Sequence, residues 1–267
     1  MINEAAAGDF HLVARGSGPP VILLHGNPDS SHLWREVIDR ISHGFLCISP
    51  DLPGFGRSPV PPEFDGGLDA MAAWVERVVE HAVPGSAPVH LVSHDIGSIF
   101  GLAWAMRNPH RVSRLAVGGF PFSSDYRWHF WGRVWRTPLL GELAMLLLNR
   151  WLFFREVRAG GPKLSDDHIA ATYDLLSPQT RRTILKIYRS LDPDVFADWE
   201  TGLQRLLMDK PTLVMWGQKD PFIAASYAER LRADRLAVFP ECGHWFPAEE
   251  PVAVAGLLAE FFSAHKG

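Results

Sequence analysis

Four short stretches of the 267-residue chain set side chains capable of nucleophilic or acid–base chemistry beside glycine or proline: His25-Gly26-Asn27-Pro28, Ser93-His94-Asp95-Ile96-Gly97, Asp220 in Trp216-Gly217-Gln218-Lys219-Asp220-Pro221, and His244 in Cys242-Gly243-His244-Trp245. Each follows a short apolar run that reads as a strand, and parallel strands deliver functional side chains at their carboxyl ends. In the second stretch, small residues two before and two after Asp95 let a strand turn sharply into a helix while the central side chain is held up, strained and exposed. Taken alone, Asp95 is equally well the N-cap of that helix. Asp220 alone is a turn residue before Pro221, and His244 alone a packed loop histidine. Together they follow the chain order nucleophile, acid, histidine.

A carboxylate is a poor acyl nucleophile, but it can displace a leaving group from saturated carbon and leave an alkyl ester on the chain. That ester must then be hydrolysed. His244, oriented by Asp220, has the chemistry to take a proton from the attacking water as general base. Backbone N–H groups of Asn27 and Ile96 are the expected oxyanion hole for this second step. Asp125, which follows the next strand, is a rival to Asp220 as the acid. His94 and His25 read as packed supports of their turns, and Arg127, Arg133 and Arg136 as surface charges.

The rest of the chain must position these groups. With 47% hydrophobic and 21% charged residues it can bury a substantial core, which excludes disordered, fibrous and disulfide-stapled classes. Twenty-six basic against 30 acidic residues, a net charge of -4 and no long basic run leave no footprint for nucleic acid or a membrane surface, so the expected partner is a small molecule. Cys47 and Cys242 lie far apart without metal-ligand spacing; free thiols, a reducing compartment and no metal or organic cofactor are expected. Residues 1–7 carry Glu4 and lack the basic and apolar parts of a secretory signal, so a cytoplasmic location is expected. The longest apolar stretch, residues 139–154, is interrupted by Glu142, Asn149 and Arg150, falls short of the ~20 residues that span a bilayer, and reads as one soluble helix.

Apolar runs at 21–24, 45–49, 89–93, 114–120, 211–216 and 236–239 read as strands. Amphipathic segments at 32–41, 68–82, 97–107, 223–233 and 251–264 read as helices between them. This alternation predicts an α/β protein with a mostly parallel sheet. From 121 to 208 it stops, and the sequence turns helical, aromatic and Arg-rich. The expected organisation is a core of residues 1–120 and 209–267 with a helical cap of 121–208. Five of the ten tryptophans fall in the cap, and Trp128, Trp131 and Trp135 recur at i, i+3 and i+7, one helical face packed on the core.

Over essentially its whole length the sequence resembles the α/β-hydrolase fold: the His25-Gly26-x-Pro28 turn, Asp51-Leu52-Pro53-Gly54-Phe55-Gly56-Arg57-Ser58, the Asp95 elbow and the Asp220 and His244 loops all match. Two families within it use an Asp elbow, the epoxide hydrolases and the haloalkane dehalogenases. A departing halide needs only N–H donors, whereas an opening epoxide becomes an alkoxide and needs a proton. The stretch from His25 to Arg35 is similar to the dehalogenase segment in which the Asn amide, here Asn27, contacts halide. Ile96, however, stands where dehalogenases place their indole donor, so that role falls to Trp128, Trp131, Trp135 or Trp151. Leu185-Lys186-Ile187-Tyr188-Arg189 resembles the segment carrying the second cap tyrosine of epoxide hydrolases, which makes Tyr188 the expected ring-opening acid; no first tyrosine matches. Fluoroacetate-type dehalogenases are disfavoured, because Ile96 and Ser98 replace their carboxylate-binding arginines. The resemblance thus implies an epoxide hydrolase with Asn27, Tyr188 and Trp151 stabilising the leaving group, Tyr126, Trp128 and Trp245 lining the pocket, and a small apolar organic substrate and water as partners. The alternatives are a haloalkane dehalogenase, or a biosynthetic enzyme or ligand-binding protein of this fold without net hydrolysis. Oligomeric state is left open.

Overall fold

The computed structural model describes residues 3–7, as backbone, and 10–264; residues 1–2, 8–9 and 265–267 of the expected core segments lie outside the described residues. Eight strands form one sheet: β1 (Asn3–Ala7), β2 (Phe10–Arg15), β3 (Pro20–Leu24), β4 (Leu46–Pro50), β5 (Val89–His94), β6 (Val112–Gly118), β7 (Thr212–Gly217) and β8 (Arg235–Phe239), in the order β1-β2-β4-β3-β5-β6-β7-β8. β1 pairs antiparallel with β2 and β2 antiparallel with β4, an edge the sequence pattern did not announce, and the remaining pairs are parallel. Val21, Leu23, Leu91 and Val92 are inaccessible to solvent. Such continuous burial is what a strand covered by helices on both faces requires.

The helices are α1 (Arg35–Ile41), α2 (Leu68–Ala82), α3 (Ile96–Arg107), α4 (Phe130–Arg136), α5 (Leu140–Leu147), α6 (Arg150–Gly160), α7 (Asp166–Asp174), α8 (Pro178–Ser190), α9 (Phe196–Asp209), α10 (Phe246–Glu249) and α11 (Pro251–Ser263). α2 packs on α3 and α1 on α11, and Trp34, Trp74, Trp104 and Trp216 fill the core they share with the sheet. Helices α4 to α9 lie between β6 and β7. α4 packs on α5 and α8, α6 on α7, while α9 leaves this group and packs on α3.

Three expectations change. Residues 139–154 form two helices, because Leu148 turns extended and the Asn149 side chain caps the N–H of Leu152, starting α6 afresh. Residues 223–233 form only a 3-10 turn at Ala225–Arg230. There the backbone is committed elsewhere: Asp220 Oδ1 accepts from the N–H groups of Phe222 and Ile223, and Trp216 Nε1 donates to the Ile223 carbonyl. Third, Trp128 precedes α4, so only Trp131 and Trp135 share that helix, their rings stacked with centroids 6.3 Å apart. Among the described residues, no helix is long and apolar enough to cross a membrane.

Candidate active site

β3, β5, β7 and β8 each end at one of the four chemical stretches, and their places in the sheet bring those stretches together. Asp95 caps α3 with φ 54° and ψ -134°, a left-handed conformation that costs a non-glycine residue of order 1–3 kcal/mol. The turn is held from three sides. The Asp95 N–H donates to the Gly118 carbonyl at 3.0 Å. A Cβ on Gly26 would stand 2.3 Å from Asp95 Cβ, and one on Gly97 2.1 Å from the His25 carbonyl oxygen, so both positions require glycine.

The two carboxylate oxygens of Asp95 are differentiated. Oδ1 accepts from the N–H of Asn27 at 3.0 Å and from that of Ile96. Oδ2 is 3.1 Å from His244 Nε2, and His244 Nδ1 is 2.8 Å from Asp220 Oδ2. All three side chains are buried. His244 is fixed at its backbone too: its N–H donates to the Gly160 carbonyl at 2.7 Å, and its carbonyl lies 2.8 Å from His94 Nε2. His25 accepts at Nε2 from the Leu52 N–H at 2.9 Å and lies 2.9 Å from the Gly26 carbonyl at Nδ1. Both histidines therefore brace loops, as expected of them. The Asn27-Pro28 peptide is cis.

The charges of this cluster interlock. Burial alone would push the Asp95 carboxyl up, but the hydrogen bond and charge of His244 outweigh it and hold the pKa below the ordinary carboxylate value. Burial would depress His244; the carboxylates of Asp220 and Asp95 overcome it and raise the imidazole to about 10. His94, buried with no compensating partner of equal strength, falls to about 4 and is neutral.

Above the carboxylate lies a cavity of about 90 Å³. Its floor includes Asn27, Asp95, Ile96 and His244, and its roof is aromatic. The Tyr188 hydroxyl oxygen accepts from Asn27 Nδ2 at 3.4 Å, and its ring lies between Trp128 and Trp135 at centroid distances of 4.9 and 4.8 Å. Burial, then the negative charge of Asp95, raises the Tyr188 pKa well above 10. Tyr126 also lines the cavity, but its hydroxyl donates to the Phe222 carbonyl at 3.2 Å and is spent there. Trp245 stands edge-on to the His244 ring at 5.1 Å.

Two expected candidates do not join the site. Trp151 is 69% exposed with the Arg155 guanidinium over its ring; the Asn149 cap sets the phase of α6 so that Phe153 and Val157 face inward and Trp151 faces out. It therefore has no access to a leaving group. Asp125 is exposed and bonded to Arg230 and Ser123, away from His244. Of the other indoles between β6 and β7, Trp131 Nε1 is committed to Glu156, while Trp128 Nε1 is buried without a partner among the described residues. Among the lining residues that went unread in the sequence is His129. His129 Nδ1 accepts from the Gly132 N–H at 3.2 Å, and burial lowers its pKa to about 4, so the neutral ring carries its proton on Nε2. Only its position beside Trp128 could have flagged it.

A strained acidic elbow, a histidine and a second carboxylate at the ends of parallel strands define a hydrolase-type site, and the comparisons agree. Residues 19–251 match the family model described as alpha/beta hydrolase fold, and the chain belongs to that family. It is 27% identical to haloalkane dehalogenase 2 of Mycobacterium tuberculosis over 97% of this chain and 93% of that protein. It is also 27% identical to epoxide hydrolase 3 of Xenopus tropicalis over 94% of this chain and 74% of that protein. The crystal structure of a haloalkane dehalogenase from Bradyrhizobium elkani superposes with a TM-score of 0.81 at 26% identity, covering 99% of each chain. The protein is thus a hydrolase of the haloalkane dehalogenase and epoxide hydrolase type.

Proposed function

We propose that the protein opens a small apolar epoxide to a diol through an alkyl ester on Asp95, with the helices of residues 121–208 as the lid over the reaction. Oδ2 is the nucleophile, since Oδ1 is occupied by the Asn27 and Ile96 N–H groups. As Oδ2 bonds to the epoxide carbon, the C–O bond breaks and Tyr188 gives its proton to the departing alkoxide. The observation that carries this reading is the Tyr188 hydroxyl: its oxygen accepts from Asn27, so its proton is unspent, while Ile96 offers no side-chain donor beside the nucleophile. The raised pKa keeps that proton in place until an alkoxide develops.

His244 then changes role. Flanked by two carboxylates it rests as imidazolium, but the ester removes the charge of Asp95 and leaves only Asp220 to support the proton. Its pKa falls, its proton passes through water to the Tyr188 phenolate left by ring opening, and the neutral imidazole becomes the base that takes a proton from water attacking Asp95 Cγ. The oxyanion forms at Oδ1, where two N–H groups already point. Breaking the Cγ–Oδ2 bond releases the diol with the original Oδ2 and leaves the water oxygen on Asp95.

Halide displacement is the second reading, favoured by the unpartnered indole N–H of Trp128. Tyr188→Phe separates the two. On terminal epoxides it is expected to lower kcat by about 10²–10⁴-fold, with little effect on halide release from 1-haloalkanes. Unchanged epoxide turnover, or halide release from the wild type outrunning diol formation, overturns the first reading.

A further inference from the structure

The turn that brings the Asn27 N–H to Asp95 is gripped twice by the helices between β6 and β7. At Asn27, the side-chain amide donates to the Tyr188 hydroxyl on α8 at 3.4 Å. Two residues on, Asp29 Oδ2 accepts from His168 Nε2 on α7 at 2.8 Å; a carboxylate only accepts, so that nitrogen carries a proton. The first contact belongs to the cavity. The second does not: among the described residues α7 contributes no side chain to the cavity wall, and His168 lies in a separate polar groove with His32, Arg35 and Glu36.

Asp29 is tied into the main chain of that turn at two points. Its own N–H donates to the Gly26 carbonyl at 3.0 Å, enclosing Asn27 and Pro28. Its Oδ1 accepts from the Ser30 N–H at 2.8 Å. Oδ2 reaches out of the turn to His168, and the carboxylate side chain is 1% exposed. A buried anion stripped of its charged partner must be neutralised or turn toward water. Asp29 cannot turn without pulling on the chain that carries Asn27. Gly26 would pass that pull to the nucleophile, because it lies so close that a Cβ there would stand 2.3 Å from Asp95 Cβ.

We propose that His168 and Asp29 are a positioning pair: they hold the Asn27 N–H on the oxygen that becomes the oxyanion when water attacks the Asp95 ester. Neither touches substrate. This role rests on the alkyl-ester reading of the site, though not on the leaving group, since epoxide and halide both reach the same ester. Losing the pair should slow the second step more than the first. Alkylation draws on Asp95 Oδ2, beside His244, whereas hydrolysis needs two N–H groups converging on Oδ1. Asn27 also meets Tyr188, but through the longer of its two bonds, so ring opening depends on the turn less.

Rapid-quench intact mass of the full chain, with a terminal epoxide or a 1-haloalkane, follows formation and decay of the Asp95 adduct separately. His168→Leu is expected to slow decay about 10-fold and formation less than about 3-fold, so that adduct accumulates. His168→Gln, which keeps an N–H donor, should recover most of the loss. Asp29→Asn, which keeps the bulk and removes the charge, should slow decay only about 3-fold, and it serves as the test if His168→Leu does not fold. The double variant His168→Leu with Asp29→Asn should match Asp29→Asn alone, because the unpartnered charge is gone. A contribution to stability alone would lower the melting temperature without this selective slowing or its rescue. Unchanged decay, equal slowing of both steps, or losses that multiply in the double variant overturn the positioning role. His244→Gln separates this role from the reading beneath it. No adduct on that variant overturns the ester and the pair together, whereas a stable adduct there beside normal decay in His168→Leu overturns the pair alone.

Discussion

The floor and the roof of the cavity are built by different means. On the floor, each chemical group sits just past a strand end, within one or a few residues of the ladder, and is tied by backbone bonds: Asp95 to Gly118, His244 to Gly160 and to His94, Asp220 to Phe222 and Ile223. On the roof, Tyr188, Trp128 and Trp135 are held mainly by one another's rings, with one 3.4 Å hydrogen bond from Tyr188 down to Asn27. Main-chain bonds fix a side chain's position through the sheet. Ring packing fixes it only as well as the helices behind it are fixed. On the proposed reading, the contrast places the nucleophile and base in the rigid part and the leaving-group donor in the adaptable part.

The largest effect that could break this division is His244→Gln. If the floor alone carries ester hydrolysis, the variant should still alkylate Asp95 but stall there, with steady-state turnover down by about 10³-fold or more. Intact mass after incubation with a terminal epoxide should show the chain plus one substrate, located on the peptide containing Asp95. A variant that turns over slowly without accumulating adduct would move the second step away from His244.

The same division explains what could be read in advance. The floor was legible because a strand turning into a helix between small residues leaves few options: Gly97 has no room for a Cβ, and Asp95 must take positive φ. Chain order then paired Asp220 with His244, which the structure brings to 2.8 Å. Roof residues carry no such constraint. Whether an indole on a short helix faces in or out depends on where the helix starts, and the Asn149 cap that turned Trp151 outward is one polar residue inside an apolar run. Tyr188 was readable through its similarity to a known segment, His129 through nothing but adjacency. β1 was missed because its residues, such as Ala5 and Ala6, carry little β-branched signal, whereas the alternation of Phe10 and Leu12 in β2 was present and went unread.

Gly97→Ala tests the rigidity of the floor at a smaller scale. Its Cβ would meet two backbone oxygens, His25 at 2.1 Å and Leu24 at 2.8 Å, neither of which can move without displacing the end of β3. Overpacking of this kind should cost about 3 kcal/mol in urea unfolding. Gly256 supplies the control. It lies exposed in α11 with nothing within 4 Å of a Cβ, so Gly256→Ala should stabilise by about 0.5–1 kcal/mol. If Gly97→Ala proves as harmless as Gly256→Ala, the floor yields as easily as the roof and the contrast fails.

A smaller loss than that of Gly97→Ala is expected at the seam. Asp29, in the loop after β3, and His168, on α7, form the most buried ion pair between floor and roof among the described residues, with Nε2 and Oδ2 2.8 Å apart. Burial works against both charges, yet each partner's charge outweighs it, lowering the Asp29 pKa and raising that of His168. His32 and Arg35, which also face His168, oppose its proton, and Glu36 favours it. A histidine raised in the fold stabilises fully below its ordinary value of 6.5 and loses that contribution as pH rises through its folded value. Asp29, lowered in the fold, contributes above its ordinary 3.8 and loses its share as pH falls through the folded value. The pair is therefore strongest between those limits, around pH 5 to 6. His168→Gln should cost about 1.5 kcal/mol there, and the deficit should shrink as melts are repeated at rising pH. His244 titrates in the same direction but is present in both proteins, so the difference between the two curves isolates the seam. A deficit that stays constant with pH would mean that His168 joins roof to floor by packing alone, and that the charge between them is incidental.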